Sequence, residues 1–217
     1  MSEQIGRFAT ARDERVASRL ETFGDIVIGF SLAQLALSFT FPDLLTVTRL
    51  LPELTAFAWT FGMTAWLWTL YRRIGADYFV PGPWASTLYM LGLAGVVLLI
   101  FAVQLVMHYG TLRGATSAEI DLAVIFYFIV LAVTLAVVGL QFATGVRARG
   151  EHLEPGLRRA GLLSALRLVI MGICVAVAIA VLPGRAMSGT AVLLPAMVGG
   201  GVLGRVVSSF LLRSAPE

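Results

Sequence analysis

The chain has 217 residues, of which 58% are hydrophobic and 13% charged, and its mean hydropathy is +0.87. A water-soluble domain of this length needs no such apolar excess for its core, so the composition indicates an integral membrane protein. The net charge is +3 and the pI near 9.5, but the basic residues, all arginine, lie at the ends of apolar segments rather than on one basic face, which argues against nucleic-acid binding.

Six apolar segments predict six transmembrane helices, because about 20 residues cross the ~30 Å hydrocarbon layer of a bilayer. Their approximate limits are 24–41, 54–72, 84–108, 120–146, 160–182 and 188–212. Turns are predicted between consecutive helices at 81–83, 155–156 and 183–184, where proline and glycine are adjacent. We therefore predict an all-α fold in which one polytopic domain covers 1–217.

Charges in the connecting segments orient the predicted bundle. Most arginines lie before the first segment, between the second and third, between the fourth and fifth, or after the sixth, whereas the other side carries only Arg49, Arg113 and Arg185. Cytoplasmic loops of membrane proteins are enriched in arginine and lysine. The pattern therefore predicts that both termini lie in the cytoplasm.

Asp25 is the most informative residue of the first segment. An ionised side chain at the centre of a membrane helix costs roughly 2.5–3.5 kcal/mol on insertion scales, so such a residue usually marks a functional or structural polar site. The helix is expected to extend back through Leu20, which places Asp25 near the interface rather than at mid-membrane.

A polar stripe on the same helix has two interpretations. Ser31, Gln34 and Ser38 follow helical spacing, and Phe30, Leu37 and Phe41 run beside them. Alternating polar and apolar rings suit an ion pathway, in which apolar constrictions gate by dewetting. Alternatively, the small and polar side chains make contacts between neighbouring helices.

Two further charges interrupt apolar segments, Arg167 in the fifth and Arg205 in the sixth, at a depth comparable to Asp25. Three roles are open for them. One of them pairs with Asp25 and holds the bundle in register, or both extend to lipid phosphates, or they take part directly in ion transfer.

Enzyme chemistry has little support. His108 and His152 are the only histidines, and the chain has no H-E-x-x-H pair, no G-x-S-x-G elbow and no phosphate-binding P-loop. The single cysteine, Cys174, allows no disulfide and no thiolate metal cluster. We predict a protein that is not an enzyme and has no metal site or cofactor.

The segment Arg19-x-x-x-Phe23-Gly24-Asp25 resembles the Arg-x-x-x-Phe-Ser-Asp signature of the transmembrane protein 175 family, the lysosomal and prokaryotic potassium channels. Trp68, with Arg72 and Arg73 shortly after it, is similar to the tryptophan and basic cluster that end the family's second helix. The six-segment layout extends the resemblance over most of the chain.

The resemblance implies a homotetramer in a bilayer, here a bacterial cytoplasmic membrane, whose first helices line a potassium pathway with potassium as the permeant ion. Phe30 and Ala33 occupy the positions of the family's aliphatic constriction and of a threonine that often follows it. Gly24 replaces the signature serine, and the family's histidines near the end of the second helix are absent.

Three functional hypotheses follow. The first is a potassium-permeable channel subunit. The second is a non-conducting membrane assembly protein with the same fold, which the replacements at Gly24, Phe30 and Ala33 make plausible. The third is a secondary transporter that uses Asp25 for a coupling ion, although neither broken helices nor two similar halves are evident.

Overall fold

The computed structural model describes residues 2–38, 47–111 and 116–181. They form five long helices: α1 Ser2–Ser38, α2 Val47–Arg73, α3 Pro83–Thr111, α4 Ser117–Arg149 and α5 Pro155–Val181. One π-helical turn, Ile74–Tyr78, follows α2, and one 3₁₀ turn, Gly150–His152, follows α4. No strand occurs within these ranges, which confirms the all-helical class.

Local sequence sets several helix ends. Pro83 and Pro155 begin α3 and α5, because the fixed φ of proline suits the first helical position, where its missing N–H would have no partner. Thr116 caps α4 in a capping box with Glu119. Gly150 follows α4 with φ 52°, in the region that favours glycine. The predicted turn at 155–156 is therefore wrong, since both residues lie in α5.

Four of the five helices are long and apolar enough to cross a membrane: Arg15–Leu37 within α1, Pro83–Tyr109 in α3, Ser117–Arg149 in α4 and Pro155–Ala180 in α5. They indicate an integral membrane protein. The second predicted span falls in α2, which is long enough but is not among these four. The sixth predicted span, 188–212, lies outside the described residues.

Helix α4 is at the centre of the described bundle. It packs against α3 on one side and α5 on the other, while α1 packs mainly against α3 and α2. Backbone atoms approach closely where α4 meets α5: a Cβ atom on Gly139 would lie 3.0 Å from the Ala165 carbonyl oxygen, and one on Gly172 would lie 3.0 Å from that of Ala132. Glycines let these two helices pack at short range, as small residues do in membrane interfaces.

The π turn fastens the α2–α3 connection to the α4–α5 pair. Phe79 N–H closes the turn on the Ile74 carbonyl at 2.7 Å. The fully buried Tyr78 donates its hydroxyl to the Leu157 carbonyl at 2.8 Å, and its ring meets Phe142 edge to face at a centroid distance of 5.1 Å. Arg149 donates to the Phe79 carbonyl at 3.3 Å. This end of the molecule is therefore held by side chains of the π turn and α4.

Candidate functional site on the first helix

Helix α1 has one buried face and one exposed face. Gly24, Ile28, Ser31 and Leu35 are buried, and their spacing of four, three and four residues defines a single stripe. The stripe faces α2 and α3, the helices that α1 contacts most. Among the described residues, the closest packing of α1 is therefore on this side of the helix.

The exposed face carries most of the residues that the sequence assigns to a pore. Phe30 is 69% exposed and Leu37 79%, and Ala33 and Gln34 are exposed between them. These four residues lie at i, i+3, i+4 and i+7, so they form one continuous stripe. Large apolar side chains on an uncovered helix face are suited to lipid or to a neighbouring subunit.

Ser31 does not share a face with Gln34, as the predicted polar stripe requires. It is 4% exposed and belongs to the buried face, whereas Gln34 is exposed. Side chains three positions apart point in directions that differ by about 60° around the helix axis. At the edge of a packed surface this is enough to bury one side chain and expose the other. Ser31 thus has the position expected of a small packing residue.

Asp25 is paired with α2. Its carboxylate Oδ1 accepts a hydrogen bond of 2.7 Å from the Trp68 indole Nε1. The Arg72 guanidinium lies over the Trp68 ring, 5.3 Å from its centroid, and its Nε is 4.0 Å from Glu21 of α1. A carboxylate acceptor strengthens the indole hydrogen bond, and the cation adds attraction to the ring face. The cluster therefore ties α1 to α2, on a different side of α1 from the exposed stripe.

Gly24 explains one departure from the family signature. A Cβ atom there would lie 2.8 Å from the Tyr89 hydroxyl oxygen of α3. The Tyr89 ring is itself held edge to face by Tyr71 at 5.4 Å and by Phe79 at 5.7 Å. Because the ring has little room to retreat, a serine at this position would crowd it.

The other predicted site residues occupy different positions. Arg19 and Phe23 are exposed on α1. Arg167 is half-buried on α5, which packs against α4, and the pairing of Asp25 with one of Arg167 and Arg205 stays a prediction. Phe41 and Arg205 lie outside the described residues. Asp25 and Trp68, which the resemblance singles out on two different helices, are in direct contact.

Sequence reasoning missed the aromatic residues behind α1. Tyr71, Tyr89 and Phe79 form a buried edge-to-face cluster that supports Gly24. Tyrosines at helix ends are ordinary in membrane proteins, where they often lie at the lipid interface. The only feature of the sequence that pointed to this aromatic cluster was the glycine in place of the serine, because a glycine leaves room for a large neighbouring side chain.

No group of three or more His, Cys, Asp or Glu side chains within residues 2–38, 47–111 and 116–181 is placed to hold a metal ion. No family model, no curated protein and no solved structure matches this chain.

Proposed function

We propose that this protein is the subunit of a potassium-permeable channel, in which the exposed stripe of α1 from each subunit of a homotetramer lines a central pathway. The observation that carries the proposal is the coincidence of Phe30, Ala33, Gln34 and Leu37 on one face of α1 that is exposed in the described part of the chain. Four copies of this face would enclose rings of apolar and amide side chains, which is the chemistry of a weakly binding, hydrophobically gated pore.

The proposal also assigns a role to Asp25, although it lies on a different side of α1 from the stripe. Asp25 is exposed on α1, close to the end at which the arginines of α2 lie, and Trp68 holds its carboxylate in place. A ring of carboxylates at a pore mouth concentrates cations and disfavours anions. The proposal assigns Asp25 this role and gives Trp68 the task of orienting it.

The proposal includes a topology of six spans with both termini in the cytoplasm. Two observations support this topology, the distribution of arginines along the sequence and the arrangement of the described helices. The C-terminal ends of α2 and α4 and the N-terminal end of α5 carry arginines and lie at the same end of the bundle. We place the protein in a bacterial cytoplasmic membrane on the strength of the family resemblance.

Potassium flux into liposomes tests the proposal. Purified protein is reconstituted with a potassium gradient, and uptake is compared with uptake of sodium and with protein-free vesicles. We expect potassium uptake above both controls. Phe30→Ala should raise the flux or reduce the preference for potassium over sodium, because it widens the largest apolar ring of the stripe.

Phe101→Ala is the matched control, because Phe101 is an exposed phenylalanine of α3, outside the stripe. It should leave the flux unchanged. Absence of flux from folded, oligomeric wild-type protein and from Phe30→Ala alike would overturn the channel proposal. That result would favour the second candidate, a non-conducting assembly protein, for which the bulk of Phe30 on the exposed face is the specific observation.

A further inference from the structure

Two arginines of α1 lie in line with the exposed stripe, one to two helical turns before Phe23. Arg15 and Arg19 are both exposed, and both belong to the single helix α1. Leu37 follows Arg19 by 18 residues, which is about five full helical turns. Ala33 follows Arg15 by the same interval. Each arginine therefore lies on the same side of the helix as a stripe residue.

The helix is also exposed between the arginines and the stripe. Phe23 is 44% exposed and Ile26 62%. From Arg19, positions 23, 26, 30, 33 and 37 follow at alternating intervals of four and three residues, the spacing that keeps side chains on one side of a helix. Phe30 lies about 16 Å beyond Arg19 along the helix axis. One continuous exposed face of α1 thus has a basic end and a mainly apolar remainder.

The nearest acids of α1 do not neutralise this basic end. Glu21 and Asp25 lie about 160° and 120° around the helix axis from Arg19. Glu21 is 4.0 Å from the Nε atom of Arg72 on α2, and Asp25 accepts its hydrogen bond from Trp68 of the same helix. Arg19 forms no ion pair with any residue in the described part of the chain. An external anion therefore approaches Arg19 without displacing a described carboxylate.

In the proposed homotetramer, the faces that line the central pathway bring the arginines of all four subunits together at one mouth. Positive charges around a narrow opening repel one another and repel potassium. An anion bound among them relieves both repulsions. Phosphate is well suited to this position, because the planar guanidinium presents paired N–H donors that match phosphate oxygens. A ring of guanidiniums favours an anion that carries several phosphate groups.

We infer that Arg15 and Arg19 of the four subunits form one binding site for a soluble anion that carries several phosphate groups. The inference rests on the proposed function, because only a ring of α1 helices brings these arginines together. It adds a ligand to that ring, and the bound anion neutralises the mouth of the proposed potassium pathway.

Calorimetry with inorganic tripolyphosphate measures this binding, with the full chain in nanodiscs of zwitterionic lipid and protein-free nanodiscs as the blank. One tripolyphosphate should bind for every four subunits. Arg19→Gln should weaken binding about tenfold or more, the factor that a hydrogen bond between charged groups supplies. Arg19→Lys keeps the charge but loses the paired donors, so its affinity should lie between those of the wild type and Arg19→Gln.

Arg158→Gln is the matched control, because Arg158 is an exposed arginine near the start of α5 and lies outside α1. It should leave the affinity for tripolyphosphate unchanged. Thermal unfolding and size-exclusion chromatography establish that each variant is folded and has the same number of subunits as the wild type. Neither substitution at position 19 adds charge, so we expect the assembly to survive both.

Nanodiscs that contain phosphatidylglycerol test the lipid headgroup as the source of the phosphate. If headgroups occupy the arginines, the difference between the wild type and Arg19→Gln disappears in these nanodiscs, which overturns a site for a soluble anion. The inference is equally overturned if the wild type binds no tripolyphosphate, binds one per subunit, or loses as much affinity through Arg158→Gln as through Arg19→Gln.

The potassium flux assay separates these failures from failure of the channel proposal. Potassium flux from a protein that binds no tripolyphosphate would remove the anion site alone. Binding of one tripolyphosphate per four subunits without any flux would support the site on an assembly that does not conduct.

Discussion

The α4–α5 pair and helix α1 use glycine and large side chains in opposite ways. Where α4 meets α5, glycines bring the two backbones together. The large side chains next to the π turn are buried there, as Tyr78 of the turn and Phe142 of α4 are. In α1, one glycine makes room for Tyr89 on the inner face, while Phe30 and Leu37 remain exposed on the outer face. The contact between α4 and α5 is closely packed, although both helices also expose apolar side chains such as Val133 and Ile173, whereas the described residues leave the outer face of α1 exposed.

This difference teaches where to look for stability and where for function. Substitutions in α4–α5 should change the free energy of unfolding, because close packing leaves no room for added volume. If the proposed channel function holds, substitutions on the outer face of α1 should change the free energy of unfolding little and the ion flux strongly. Three sets of variants test the contribution of packing to stability, from the largest expected effect to the smallest.

Gly145→Ala should give the largest loss of stability. An added Cβ would meet the backbone carbonyl oxygen of Tyr78 and lie 2.8 Å from the Tyr78 Cβ, and neither can move without displacing the π turn. Overpacking of this kind costs about 1–3 kcal/mol, which outweighs the ~1 kcal/mol that alanine gains over glycine inside a helix. The midpoint of thermal unfolding in detergent should fall.

Gly156→Ala is the matched control for that experiment. It lies in the first turn of α5, and a Cβ there would meet no atom within 4 Å. It should leave the midpoint unchanged or raise it slightly. Equal losses at Gly145 and Gly156 would contradict the close packing of the π turn against α4.

Tyr78→Phe should have an intermediate effect. The variant keeps the ring that meets Phe142 but leaves the Leu157 carbonyl without the hydroxyl that donates to it at 2.8 Å. Loss of one such hydrogen bond costs about 0.5–1.5 kcal/mol. The same unfolding measurement detects it, and a midpoint equal to that of the wild type would show that this hydroxyl does not hold the connection.

Gly24→Ala should have the smallest net effect, since crowding of Tyr89 and the gain in helix propensity oppose each other. Tyr89→Phe removes the crowded oxygen, so in that background Gly24→Ala should raise the unfolding midpoint. The double-mutant cycle isolates the contact. Additive changes in the free energy of unfolding would mean that Tyr89 does not determine the residue at position 24.

Long apolar runs predicted the middle of the bundle well. Segments 84–108 and 120–146 fall within α3 and α4, because runs this long and apolar specify membrane helices without further information. The sequence predicted the limits of α1 and α5 less well. Helix α1 extends back to Ser2 through polar residues, and Pro155 begins a helix rather than a turn, since proline has no N–H to lose at the first helical position.

The site was only partly predictable. Residue type and apolar context singled out Asp25, and the resemblance singled out Trp68, but nothing in the sequence pattern paired these two residues with each other. Among the described residues Trp68 of α2, 43 residues away along the chain, donates a hydrogen bond to Asp25. Helical periodicity tells which residues share a face, but it does not tell which neighbouring helix covers that face, so Ser31 and Gln34 were grouped although only one is buried.

The most direct test of the central claim is whether water reaches the outer face of α1. In a Cys174→Ala background, single cysteines replace Ala33 on the exposed stripe, Ser31 on the buried face and Ala94 on the exposed side of α3. A charged, membrane-impermeant thiol reagent is then applied from both sides of reconstituted vesicles. We expect it to modify the cysteine at position 33 and to spare those at 31 and 94. Modification of position 33 only by a membrane-soluble reagent, as at position 94, would show that the stripe faces lipid and would contradict the account.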